Sequence, residues 1–416
     1  MQATHLQRRA AATRSAFCAA RWGLRGLLLL AACLTPASSA SAQRLLPGEF
    51  SDISLGRQLI EPARFPTISE LRAALSKPQV STVMMLKLYA DGNNHYLPVW
   101  APDGQGLAFQ RSDVSANLSK LLVFSPLSQE KPTLLSDNRD NYDYMFRWGI
   151  NSPRSMVFAR IEGASRSSQI CFSADGTKVE VRSTGKGRIA LPTLYRRTDG
   201  IWRLYYERAG EIVQDSWSDA SPQSKLTSLA RGLNPRWSYD GTRLLYLRDS
   251  GSKTTPPEVV VHDVTTEQEV VLPSPRTGTI RSPVWSASGD YVGFFVREPG
   301  ENKPWRIHVC AAGKGTPGRA VGDEVVVNVN FESEGPSFEP SGRRVWYFSA
   351  GHRQQAYFPL VGAAVNTGET VVVDYPNRCT TPVDLAVNPA SEIPEMAFAA
   401  HDGLPQDVFV VLLNHY

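Results

Sequence analysis

Cysteine is scarce in this 416-residue chain: five residues, of which Cys18 and Cys33 fall within the first 42 positions. Cys171, Cys310 and Cys379 remain, an odd number at spacings unlike a zinc knuckle, so neither a disulfide framework nor a metal finger holds the fold. Three buried thiols in strands is one reading, and a single Cys310–Cys379 pairing stays open beside it. Long apolar runs are missing too. Beyond the N-terminus none reaches the ~18–20 residues that a membrane-spanning helix requires. Helical periodicity is nearly absent. So are catalytic signatures: there is no G-x-S-x-G elbow, no H-E-x-x-H, no C-x-x-C and no glycine-rich phosphate loop opening a helix. The formal charge of +4 shrinks once residues 1–42 are set aside. They hold Arg8, Arg9, Arg14, Arg21, Arg25 and no acid, leaving 39 basic against 40 acidic residues. That balance gives no basic footprint for nucleic acid.

What is present is a repeated sentence. Pro98-Val99-Trp100-Ala101-Pro102-Asp103-Gly104 recurs as Pro235-Arg236-Trp237-Ser238-Tyr239-Asp240-Gly241 and as Pro283-Val284-Trp285-Ser286-Ala287-Ser288-Gly289. Each copy runs into an apolar stretch ending in aromatics: Leu107-Ala108-Phe109, Leu244-Leu245-Tyr246, Val292-Gly293-Phe294-Phe295. The pattern predicts a short buried strand closed by Trp, a tight turn at Asp-Gly or Ser-Gly, and a second strand running back. Weaker copies fill the gaps, so the anchors are Trp100, Trp148, Leu194, Trp237, Trp285, Phe338 and Val387. A period of about 40–50 residues built this way denotes a stacked β-repeat. Asp-Gly pairs at 91, 103, 175, 199, 240 and 402 read as hairpin turns, because the spaced carboxylates of a calcium loop do not follow them.

The motif x-P-x-W-S-x-D-G-x-x-(I/L)-A-F resembles the TolB-like β-propeller repeat, a relative of the WD repeats, over roughly residues 90–416. The resemblance implies an all-β fold: a β-propeller of about seven four-stranded antiparallel blades. The last repeat has room for only three strands, ending in Val408–Leu413, and Thr82–Leu88 is a spare strand that could complete it and fasten the ring. The expected layout is therefore an export signal over 1–42, an arm over 43–79 and a propeller over 80–416. Within the arm, Thr67-Ile68-Ser69-Glu70 has the form of a capping box, with Leu71, Ala74 and Leu75 at helical spacing, which predicts a short N-terminal helical arm over 67–76. TolB-like proteins carry an N-terminal α/β domain for which this arm has no space.

The signal rests on Arg21 and Arg25, the apolar core Leu27–Leu34 and the small-residue site Ala40-Ser41-Ala42. Leu30-Ala31-Ala32-Cys33 also has the form of a lipobox, so lipidation at Cys33 is a second expectation. Either way the chain is read as periplasmic or secreted.

Two constellations stand out as candidate site residues. Arg111, Arg160, Arg208, Arg248 and Arg297 each lie two residues past an aromatic, with Arg353 offset in the sixth repeat. Strand alternation puts residues i and i+2 on one face, so one rim receives an arginine from successive blades. Guanidinium groups suit forked recognition of carboxylate or phosphate. Local pairing with Asp113, Glu162, Asp249 and Glu298 is the competing reading. His95, His352 and His401 fall in loops that a propeller opens on one face; oligogalacturonate lyases, propellers with similar repeats, use a histidine-rich metal site there. The expected function is that of a monomeric protein-binding scaffold at the cell envelope. Its partner would be an envelope protein or a peptidoglycan-associated one, with no cofactor, no metal and no catalytic residue. The alternative is a propeller lyase or hydrolase acting on an anionic polysaccharide.

Overall fold

The computed structural model describes residues 82–89, 93–113, 118–124, 133–135, 141–163, 165–185, 187–252, 255–300, 303–313, 318–327, 335–351, 358–373, 380–392, 394–401 and 406–414. The residues read as an export signal, Cys33, the helix expected over 67–76, His352, Arg353 and Cys379 lie outside them.

The described residues are all β, without a helix. β1 (Thr82–Tyr89) comes first, and the strands after it sort into groups. β2 (Asn94–Trp100), β3 (Leu107–Asp113), β4 (Leu118–Phe124) and β5 (Thr133–Leu134) form the first. β6 (Asn141–Gly149), β7 (Ser152–Glu162), β8 (Ser168–Ser173) and β9 (Glu180–Gly185) form the second. β10 (Ile189–Arg196), β11 (Ile201–Arg208), β12 (Glu211–Ser218) and the front of β13 (Ser221–Trp237) make the third. The end of β13 turns into the fourth, with β14 (Arg243–Arg248), β15 (Glu258–Asp263) and β16 (Glu269–Leu272). β17 (Thr279–Trp285), β18 (Tyr291–Arg297), β19 (Trp305–Ala311) and β20 (Arg319–Val325) are the fifth. β21 (Ser337–Phe338), β22 (Arg344–Phe348), β23 (Leu360–Ala364) and β24 (Thr370–Val373) follow as the sixth. Finally β25 (Thr380–Val387), β26 (Glu395–His401) and β27 (Gln406–Asn414) accept β1 as their fourth strand, antiparallel to β27 with Leu86 opposite Val410.

Each anchor sits at or near the end of a group's first strand, and the turn after it has the expected chemistry. In the fourth group Gly241 N–H donates to Ser238 O at 2.9 Å, and Asp240 Oδ1 accepts from Thr242 N–H at 2.9 Å. Gly241 has φ +68, and a Cβ there would strike the Tyr195 ring of the preceding group at 2.1 Å, so only glycine closes this turn.

The core is a series of seams. Consecutive groups pack face to face, each seam a cluster of buried apolar side chains such as Leu245, Val259, Trp285 and Phe294 between the fourth and fifth. Trp100, Trp237 and Trp285 are at most 6% exposed. Two anchor indoles tie a seam: Trp148 Nε1 donates to Val99 O at 2.9 Å, and Trp285 Nε1 to Arg236 O at 3.1 Å. The last group also meets the first. β2 packs against β25, β26 and β27, Gln406 N–H donates to Asn94 Oδ1 at 2.9 Å, and Asn388 Nδ2 donates to Gly104 O at 3.3 Å. Cys171 and Cys310 are buried thiols, pushed up by burial to about 12.

One feature recurs in every group. Leu97, Met145, Leu191, Asn234, Ser282, Gly335 and Asp384 all have positive φ, and each lies three residues before its anchor. In six groups the pairing register shifts there, as between Tyr96 and Val99. This is a β-bulge, which leaves its extra residue out of the ladder. The bulge explains the proline of the repeat: Pro98, Pro192, Pro235, Pro283 and Pro336 each follow the positive-φ residue, where no ladder N–H is required.

Candidate functional site

The first strands run between two opposite ends of the groups, and each end presents its own set of side chains. At the end where they begin lies the arginine series. Register places Arg111 opposite His95, Arg160 opposite Asp143, Arg208 opposite Ile189, Arg248 opposite Gly232 and Arg297 opposite Thr279. The five are therefore near-equivalent by pairing, but their surroundings differ. Arg160 and Asp143 are both buried and joined by a fork, Nε to Oδ1 at 2.6 Å and Nη2 to Oδ2 at 3.1 Å. Burial works against the Arg160 charge, and the Asp143 contacts outweigh it, so its pKa lies above the ordinary guanidinium value. Arg248 bridges Glu258 at 2.9 Å and Glu269 at 2.7 Å, while Glu269 also accepts the Tyr246 hydroxyl. Arg297 lies over the Trp305 ring, 4.8 Å from its centroid. Arg111 is half-buried and Arg208 is exposed.

The acids hydrogen-bonded to Arg160 and Arg248 come from other strands: Asp143 and Glu258 are directly opposite, and Glu269 lies on β16, one strand further on. Asp249 instead faces Arg231 at 3.7 Å. Directly opposed residues in a sheet are ~5 Å apart, nearer than Glu162, two residues along the same face of the strand, or Asp249, the next residue, which points to the other face. His95 is fully buried, edge-on to Phe109 with ring centroids 5.5 Å apart, and its Nδ1 lies 3.7 Å from Asp407 Oδ1. His401 ends β26, half-buried and opposite Gln406. His95 and His401 thus belong to the same seam between the last group and the first. Among the described residues no three histidines, cysteines or carboxylates gather as a metal cluster.

The other end holds a cavity of about 150 Å³. Its lining includes the residue before the anchor in every group: Val99, Arg147, Thr193, Arg236, Val284, Ser337 and Ala386. Alternation along the strand accounts for this, since an anchor turned into a seam turns its predecessor the other way. The edges of Trp100, Trp148, Trp237, Trp285 and Phe338 border the same space. Arg147 is buried and reaches across two groups: Nη1 donates to Pro235 O at 2.8 Å and Pro192 O at 3.4 Å, and Nη2 to Asn234 Oδ1 at 2.8 Å. Sequence reasoning passed over this column because it followed what repeats. Aligning the repeats on their anchors and reading one residue back would have found it.

No protein-family model matches the sequence, and no curated protein sequence matches it. Solved structures do resemble it. An oligogalacturonate lyase from Vibrio parahaemolyticus aligns with a TM-score of 0.53 at 8% identity, covering 84% of this chain and 96% of that one. The β-propeller domain of Cps50 (Swd1) from Myceliophteria thermophila aligns with a TM-score of 0.50 at 12% identity, covering 78% and 98%. TolB from Acinetobacter baumannii aligns with a TM-score of 0.44 at 14% identity over 70% of this chain, which spans only 66% of the TolB chain. At these identities the first two likenesses speak to fold alone, and the fold is that of a β-propeller.

Proposed function

We propose that the chain is an exported, monomeric seven-bladed β-propeller, closed by β1, that acts as a binding scaffold at the cell envelope. The observation that carries this reading is the cavity to which all seven first strands contribute a residue. A ring of that kind is a rigid platform, and loops on a rigid platform are where binding residues usually sit. The export signal read from residues 1–42 supports an envelope location, with attachment through Cys33 as a variant of it. The partner, an envelope or peptidoglycan-associated protein, would dock on the face carrying the arginine series. Within that series Arg208 is exposed and Arg111 half-buried, and both are binding candidates on that accessibility, whereas Arg160 is buried in its fork with Asp143.

Capture from envelope extract tests the reading. Retention of the partner should fall at about 0.5 M salt, as exposed charges are screened, and in an Arg111→Gln/Arg208→Gln variant of unchanged melting temperature. Arg160→Gln should instead lose stability by about 3–5 kcal/mol, because it leaves Asp143 buried without its partner. Capture indifferent to salt and to the double variant would contradict the arginine face. The shared seam of His95 and His401 is the observation behind the alternative, a lyase acting on an anionic polysaccharide. Turnover of oligogalacturonate, abolished by His401→Ala, would favour it.

A further inference from the structure

We infer that the segment over 67–76 docks as a helix on the mouth of the cavity at the hairpin end, so that the chain covers its own cavity. The inference does not depend on the arginine face, which lies at the opposite end of the first strands. The mouth is apolar. Pro102, Ile150, Tyr239, Ala287 and Pro389 each stand two residues past the anchor of their group, and all five line the cavity. Tyr239 is 38% exposed and the other four are half-buried. Apolar side chains exposed singly are ordinary, and Val181, Val271 and Val372 on three outer strands are of that kind. Five gathered from five groups around one opening make a contact surface.

Register fixes where the chain before β1 enters. Met85 pairs with Val411, Val411 with Met396, and Met396 with Val387, so one row crosses the last group and ends on a residue lining the cavity. Thr82 lies three residues beyond that row, opposite Asn414, at the hairpin end. Three strand spacings of about 4.8 Å separate β1 from β25, roughly 14 Å in all. Ser76 stands six residues before Thr82, and at about 3.3 Å per residue that tether spans about 20 Å. It reaches the mouth. The arginine end lies the length of β1 away, about 23 Å, and is out of its reach. The segment carries the complementary surface: Ile68, Leu71 and Leu75 recur at helical spacing as one apolar stripe, with Ala73 on the far side. A helix of ten residues is too short to persist alone in water, so the stripe requires a surface to pack on. The cavity is then taken by the chain itself, and a partner entering at that end must displace the segment.

Photo-cross-linking in the purified full-length chain tests the contact. Benzoylphenylalanine at position 71, irradiated and digested, should link within one molecule to peptides containing Pro102, Tyr239 or Ala287. The same group at position 73, on the far side of the helix, should not. Should the bulky group disturb folding, smaller variants decide. Leu71→Asp/Leu75→Asp should uncover the indoles that border the mouth and raise acrylamide quenching of their fluorescence, while Ala73→Asp should leave it unchanged. Links from position 71 to an outer strand, such as the peptide holding Val372, would put the segment on the flank and overturn the inference. Links only between molecules would give the mouth to a second copy and overturn it too. No link from position 71 to the mouth, equal linking from 71 and 73, or equal quenching in the two sets of variants would do the same. None of these results bears on capture at the arginine face.

Discussion

Ser282 and Gly335 hold the same place in neighbouring groups, and their difference measures what the bulge costs. Both have positive φ, 50° at Ser282 and 103° at Gly335. An L-residue in the left-handed region is penalised by roughly 1–2 kcal/mol. Ser282 is buried with a small side chain, so Ser282→Gly should be neutral or raise stability by up to about 1 kcal/mol. Gly335→Ala should do the reverse, and more strongly. Its new Cβ would sit 2.4 Å from the backbone oxygen of Ser282, which cannot swing away as a side chain could. Urea unfolding of the two variants checks this, with equal effects as the contrary result. A serine, a leucine and a methionine at such positions are not legible in sequence, because no local propensity puts Leu97 or Met145 at positive φ. Only the proline that follows hints that the ladder is interrupted.

At the scale of the element, the hairpin of each repeat was the legible part. Trp, then Asp-Gly or Ser-Gly, then an aromatic run specify two strands and the turn between them by local chemistry, and β13–β14 and β17–β18 follow that grammar. The partners of the arginines were not legible. Asp143 lies 17 residues from Arg160 and Glu269 lies 21 from Arg248, and which cross-strand residue faces which is set by register, including the bulge. The N–H bonds of the anchor indoles Trp148 and Trp285 were hidden for the same reason, since each joins two repeats. They imply a specific outcome. Trp148→Phe keeps most of the buried area but leaves Val99 O without its donor, so it should cost about 1–3 kcal/mol, mostly the unsatisfied carbonyl and the smaller ring. Trp237→Ala should cost more, roughly 3–5 kcal/mol, because the whole seam contact is lost. Thermal melting that ranks these two the other way would show that the bond, not the packing, dominates the seam.

For the whole molecule, the account turns on whether the two ends of the propeller are sewn together by a strand from outside the repeats. β1 supplies the fourth strand beside β27, and without it the last group would expose an unpaired edge, which invites association with other chains. The seam contacts of Asn94 with Gln406 and of Gly104 with Asn388 would then have to hold the ring alone. Closure of this kind also makes the cavity possible, since its lining draws on the first group and the last. The most direct measurement is a cross-link between strand partners. Leu86 is paired with Val410, and opposed residues of a sheet have Cβ atoms about 4.5–5.5 Å apart, within reach of a disulfide after small adjustment. A Leu86→Cys/Val410→Cys chain, oxidised and digested, should yield the peptide pair joined within one molecule, in a monomer whose melting temperature exceeds that of the reduced form. Recovery of both thiols unlinked from folded protein, or linkage only between molecules, would contradict a ring closed by β1.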